Sequence, residues 1–179
     1  MKTAMHRACT TCAPTVHRFG VFALFVLVLA ACTDGSNLRS DPLLIRNPTV
    51  PIGAIQRFDP VRFDGDWGVQ ATAGGPWALR GFTVSGRGTG WREDDGRSAR
   101  MTLRATGILR LTYADETQRD LWVVWTDPDH NTLAVGTPDG SFGFIATRVG
   151  QARGDQITAA RQVLDFNGYR TREWVWIAI

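Results

Sequence analysis

The sequence predicts an all-β domain, an antiparallel barrel or sandwich, followed by one α-helix and a short terminal strand. Three observations predict it. From Asp64 to Arg148, short apolar or alternating runs recur between turn signals at roughly ten-residue spacing. After Arg148 the apolar period becomes helical, over Asp155 to Phe166. A last apolar run, Trp174-Val175-Trp176-Ile177, comes close to the chain end.

The first strand is Trp67 to Ala73, ended by Gly74-Gly75-Pro76. Ala78 to Ser85 is apolar and β-branched and breaks at Gly86, Gly88 and Gly90. Gly90 to Glu93 runs into Asp94-Asp95-Gly96, a hairpin signal. Arg100 to Thr106 alternates Met101, Leu103 and Ala105 with polar residues, and Leu109, Leu111 and Tyr113 alternate with Arg110 and Thr112. Such alternation describes strands with one buried and one wet face. Leu121 to Thr126 is apolar on both faces and stops at Asp127-Pro128-Asp129. Thr132 to Gly136 and Ser141 to Arg148 flank Thr137-Pro138-Asp139-Gly140, a second hairpin signal. These are eight strands. In the helix, Ile157, Ala160, Val163 and Leu164 share a face, and Asn167-Gly168 is a C-terminal cap signal.

Charge is unevenly placed. The chain has 179 residues, with 20 Lys+Arg against 17 Asp+Glu. Residues 1–31 contain Lys2, Arg7 and Arg18 and no acid, so the remainder is neutral and all its cations are Arg. Met1 to Arg18 is polar and basic, Phe22 to Ala30 is apolar, and small residues come next. The apolar run is shorter than the about 20 residues that span a bilayer, so 1–31 reads as an export signal. Leu29-Ala30-Ala31-Cys32 resembles the lipobox of bacterial lipoprotein signals. That resemblance implies cleavage before Cys32, acyl chains on Cys32 and attachment to a membrane. Thr33 after the cysteine implies the outer membrane, with the domain facing the periplasm. Residues 32–56 are rich in Ser, Asn, Asp and Pro and read as a lipidated, flexible tether, which leaves 57–179 as the folded domain. The signal carries away Cys9, Cys12, His6 and His17. One cysteine and one histidine, His130, remain, which excludes a disulfide framework, a Cys/His zinc site and a Cys–His catalytic pair.

Several motifs in order resemble the lipocalin family, in its bacterial branch. Gly65-Asp66-Trp67 opens the first strand as G-x-W opens lipocalins. Thr126-Asp127 stands where the family has T-D-Y, with Pro128 in place of the tyrosine, and Arg148 ends the last barrel strand. The run Asn131 to Arg148 resembles the family's late hairpin, and the helix with Phe166-Asn167-Gly168-Tyr169 resembles the family's segment after that hairpin. The resemblance implies an eight-stranded antiparallel up-and-down barrel with a C-terminal α-helix and a short terminal strand. It also implies that Trp67 plugs the closed end, with Arg148 lying on its ring. The span from Asp66 to Arg148 is short for the family, which implies short strands, a shallow cup or one incomplete strand.

A barrel of this size can enclose one small ligand. Alternation turns Leu109, Leu111 and Tyr113 inward, and Met101 and Leu103 on their strand. Counting by twos from Arg148 turns Phe142 and Phe144 inward. The family alignment adds Leu121, Val123 and Trp125. These side chains either line a cavity for a fatty acid or lysophospholipid, or fill a solid core on which an envelope partner could act at the rim. No nucleophile–base set or paired carboxylates stand out, and no enzyme activity, cofactor or metal is expected. Gly86 to Gly90 lacks the Lys-Ser/Thr ending of a phosphate loop. Balanced charge and export argue against nucleic acid.

Overall fold

Short alternating strands joined by tight turns can bury one face by packing as two sheets or by closing on themselves, and here they close. The computed structural model describes residues 45–74 and 79–177. Residues 1–31, expected as an export signal, Cys32 and residues 33–44 lie outside the described residues. The strands are β1 (Gly65–Gly74), β2 (Gly81–Ser85), β3 (Gly90–Glu93), β4 (Ser98–Ala105), β5 (Ile108–Tyr113), β6 (Gln118–Thr126), β7 (Thr132–Gly136) and β8 (Phe142–Arg148). A helix, α1 (Gly154–Phe166), and a two-residue strand, β9 (Val175–Trp176), come after them. Each strand pairs antiparallel with the next, and β8 and β2 both pair with β1, which closes an eight-stranded up-and-down barrel. Closure removes the unpaired edges that an open sheet would expose.

Two cores result. The inner one fills the barrel. The outer one lies between the wall and α1, where Ala160 and Leu164 meet Ala71, Val124, Ala134 and Ile145. Thus β6, β7 and β8 are apolar on both faces for different reasons. Gly136 belongs to this packing: a Cβ there would stand 2.1 Å from the Tyr169 hydroxyl. That hydroxyl donates to the Thr137 carbonyl at 2.8 Å and accepts from the Thr137 N–H at 2.7 Å. Burial pushes the Tyr169 phenol up to about 12, which keeps the donor in place. Gly168, at φ +88°, supplies the left-handed residue that ends α1. β9 pairs with Ala71 and Thr72 of β1 beyond the point where β2 ends, so it lengthens the wall there.

Register shifts decide which side chains face in. Cross-strand partners share a face. In β6, Val123 pairs with Val135 but Trp125 pairs with Ala134, because the register shifts between them. The extra residue flips the alternation. Trp125 therefore packs in the outer core, not inside as the family alignment implied. A similar shift in β1 between Val69 and Ala71 turns Val69 inward and Ala71 toward α1. Leu103 keeps the inward face, opposite Leu109, but as the last pair before β4's own shift toward Ala105 it stands 46 % exposed.

Residues 45–56, expected as part of a flexible tether, do not hang free. From Ile45 onward the chain is held against the barrel. Arg46 bridges to Tyr169, the Asn47 N–H donates to the Gly168 carbonyl, and the Ile55 N–H donates to the Val123 carbonyl. Ile45 and Ile52 pack on the outer core and Ile55 on the inner one. The prolines of this segment set extended backbone, and extended backbone can lie along a wall as well as hang free.

Candidate functional site

One end of the barrel is closed. A 3-10 turn at Pro60–Phe63, started by the Asp59 carboxylate accepting from the Val61 N–H, brings Phe63 under the strands. Phe63 and Trp67 are each 2 % exposed, with ring centroids 5.2 Å apart. The Trp67 Nε1–H donates to the Phe63 carbonyl at 2.9 Å. Arg148 lies opposite Trp67 in the register, and its Cζ stands 4.6 Å from the indole centroid. Its guanidinium donates to the carbonyls of His130 at 3.0 Å, Asp64 at 2.7 Å and Arg62. Burial and the nearby Arg62 pull its pKa down, against Asp64 and Asp127. An arginine has five donors in one plane, so it can tie the β6–β7 loop to the turn before β1 while stacking on a ring. Gly65 is small for the same reason: at φ +128°, a Cβ would stand 2.4 Å from Arg148 Nη1.

The T-D pair builds the loop that carries the His130 carbonyl. The Asp127 carboxylate accepts from the N–H groups of Asn131 at 2.7 Å and Thr132 at 2.6 Å. Thr126 Oγ1 donates to the Thr132 carbonyl at 2.9 Å. His130 itself has φ +59° in an exposed loop, and its Nδ1 lies 3.3 Å from the Pro128 carbonyl. Gly65, Trp67, Thr126, Asp127 and Arg148 thus meet at this end as one structural unit.

Above the base the interior is apolar and tightly packed. Phe82 stacks on Trp91 at 4.0 Å and lies parallel to Trp67 at 6.1 Å. Phe144 meets Phe82 and Phe142, each at 5.6 Å. Leu109, Leu111 and Leu121 are 1 % exposed, and Val123 and Phe144 are 0 % exposed. A preformed cavity would leave its lining accessible to a water-sized sphere, so the middle of the barrel is a packed core.

The other end is chemically different. The turns at 94–97, 114–117 and 137–141 lie here, and the inward side chains become polar. Glu93 ends β3 on the face that Trp91 shares, and its carboxylate is 2 % exposed. Oε1 accepts from the Tyr113 hydroxyl at 2.5 Å and from Trp91 Nε1–H at 3.2 Å. Oε2 stands 4.0 Å from Arg97 Nη1, and among the described residues it has no hydrogen-bond donor. Arg97 lies over the Tyr113 ring at 4.3 Å, and Arg119 over the Phe142 ring at 4.8 Å. Burial and the bond to Glu93 push the Tyr113 phenol up, so it stays a donor, while burial draws the Arg119 pKa down.

Tyr113 and Phe142 are therefore the expected cavity residues that reach this polar end. Leu109, Leu111, Leu121, Val123 and Phe144 lie in the inner core with them. Glu93, Arg97 and Arg119 carry no signal of this role in the sequence. Glu93 looks there like the edge of a turn signal. The one clue is that it stands two residues after Trp91 in a strand, and so on the same face.

A closed eight-stranded antiparallel barrel with a plugged base and an outer helix defines the lipocalin-like fold. Solved structures of crustacyanin lipocalins are similar to it. Apocrustacyanin C1 matches with a TM-score of 0.54 at 17 % identity, over 72 % of this chain and 89 % of its own. Apocrustacyanin C2 matches at 0.55 and 16 %, over 76 % and 91 %. Lobster apocrustacyanin A1 matches at 0.51 and 17 %, over 75 % and 92 %. At these identities the likeness is one of fold. No protein-family model matches the chain, and no curated protein matches it in sequence.

Proposed function

We propose that this chain is a lipid-anchored protein of the outer membrane that faces the periplasm. In this reading it binds a small hydrophobic ligand, a fatty acid or lysophospholipid, at the open end of its barrel. One observation carries the reading: an apolar interior is plugged at one end, and at the other the inward side chains of Glu93, Tyr113 and Arg119 turn polar. That is the arrangement an amphiphile needs, with its apolar body against the core and its head at the rim. The packed middle limits the site to the upper part, around Tyr113 and Phe142. Binding gains from apolar surface removed from water, roughly 25 cal/mol per Å², and it must offset the cost of shifting those rings.

Titration of a fluorescent fatty acid or lysophospholipid into the purified protein, followed by energy transfer from tryptophan, tests this. Saturation at one ligand per chain is expected. Transfer that rises without saturating would favour the second reading, a filled barrel that contacts envelope partners. The tight packing around Phe144 speaks for that alternative. Anchoring has a separate test. Cells given labelled palmitate should label the wild-type protein and leave Cys32→Ser unlabelled; label on the variant would remove Cys32 from the proposal. Two or more acyl chains hold stably because each buried CH₂ contributes about 0.8 kcal/mol.

A further inference from the structure

The polar cluster at the end opposite the plug has more structure than a rim needs. Glu93 is a carboxylate whose side chain is 2 % exposed, on the inner face of a barrel. Burying such a group is costly unless each oxygen finds donors. Oε1 has two, the Tyr113 hydroxyl and the Trp91 indole N–H. Oε2 has none among the described residues, and Arg97 Nη1 is 4.0 Å away, beyond hydrogen-bond reach. The two donors hold the carboxylate in one orientation, so Oε2 is fixed as an acceptor.

Beside it the wall is small. In the register Ala99 of β4 lies between Trp91 of β3 and Tyr113 of β5, on their inward face. Ala99 is partly buried and packs against the inner core. Ala99 thus puts only a methyl group between two large rings beside the carboxylate, at the end where an amphiphile would present its head.

We infer that Glu93 selects the ligand: Oε2 accepts a hydrogen bond from its head group, so the site prefers a neutral hydroxyl to a carboxylate. This inference rests on the proposed binding at that end and narrows its ligand: a fatty acid would bind there more weakly than an amphiphile that presents a hydroxyl. A ligand carboxylate has only lone pairs to offer at neutral pH, and leaves Oε2 as buried and as unbonded as before. The guanidiniums of Arg97 and Arg119 attract an anion, but both already lie over aromatic rings. The same two cations oppose an ammonium head, which could otherwise donate to Glu93. A long-chain alcohol or a monoacylglycerol meets all three conditions. It brings a donor, no charge, and an apolar body for the rings of Tyr113 and Phe142.

The test uses three probes with one apolar body: a pyrene-tailed dodecanol, its methyl ether, and the matching dodecanoic acid. The ether keeps the oxygen and loses the donor. Each is titrated into the full chain at neutral pH, with energy transfer from tryptophan as the readout. The alcohol should bind about tenfold more tightly than either of the others, as expected for one bond to a charged acceptor. Glu93→Gln puts an amide donor where Oε2 stood, which an ether and an alcohol oxygen can both accept from, so the preference for the alcohol over the ether should fall by about threefold or more. If that variant does not fold, the wild-type ranking decides alone. Equal binding of the three probes, tightest binding of the acid, or an unchanged preference in folded Glu93→Gln would overturn the inference and leave the binding proposal standing. Failure of every probe to saturate would overturn both.

Discussion

Trp67→Ala should lower the unfolding free energy by about 4 kcal/mol, within the range for deleting a large buried aromatic. The indole is 2 % exposed and has Phe63 and Phe82 against it. Its removal deletes apolar contact, and it also leaves the Phe63 carbonyl without its indole donor. The base cannot collapse easily into the space. Phe63 is set by the 3-10 turn, and Phe82 is already stacked on Trp91. Arg148 loses the floor under its guanidinium but keeps its carbonyl acceptors. A double-mutant cycle with Arg148→Met should therefore return a coupling of about 1 kcal/mol for the guanidinium–indole contact. Urea unfolding followed by circular dichroism measures each leg. A loss below about 1.5 kcal/mol in Trp67→Ala would mean that the base repacks, which is contrary to the geometry described.

The eight strands, the helix and the closing strand are legible because their signals are local. Alternation in Leu109, Leu111 and Tyr113 needs only neighbouring residues to be read, and so does the turn signal Thr137 to Gly140. Closure of the barrel comes from motif order instead, since alternation alone fits a sandwich as well. The side-chain facing of β6 is not legible. A one-residue bulge leaves no mark in a run that is apolar on both faces, yet it sends Trp125 to the outer core. Glu93 is hidden for a related reason. A charged residue beside Asp94-Asp95-Gly96 reads as part of the turn, and its burial depends on Tyr113, twenty residues further on. Segment 45–56 reads as tether because its own composition is polar and Pro-rich, whereas its docking depends on carbonyls and apolar groups supplied by the far end of the chain.

That docking gives the other large expected effect, Arg46→Leu, a loss of about 3 kcal/mol. Arg46 is 4 % exposed, in a segment whose sequence looks solvated. Its Nε donates to the Asn167 carbonyl at 2.9 Å, Nη1 to the Pro138 carbonyl at 3.1 Å, and Nη2 to the Val50 carbonyl. One guanidinium thus joins the N-terminal segment, the end of α1 and the β7–β8 turn. The Arg170 N–H to Ile45 carbonyl bond and the Asn47 N–H to Gly168 carbonyl bond flank it. Leucine preserves much of the apolar stem but leaves three carbonyls without a donor, two of them at chain reversals. Lysine should rescue little, because a single ammonium cannot reach acceptors arranged for a planar fork. The readouts separate local from global effects. If the segment is a strap, Arg46→Leu should speed tryptic cleavage at the exposed Arg57 at denaturant concentrations where the barrel is still folded. If the strap and the barrel are one cooperative unit, cleavage and the loss of β-sheet signal should shift together. An unchanged urea midpoint with unchanged cleavage would mean that the three carbonyl bonds contribute nothing net, and that the apolar contacts of Ile45, Ile52 and Ile55 hold the segment alone.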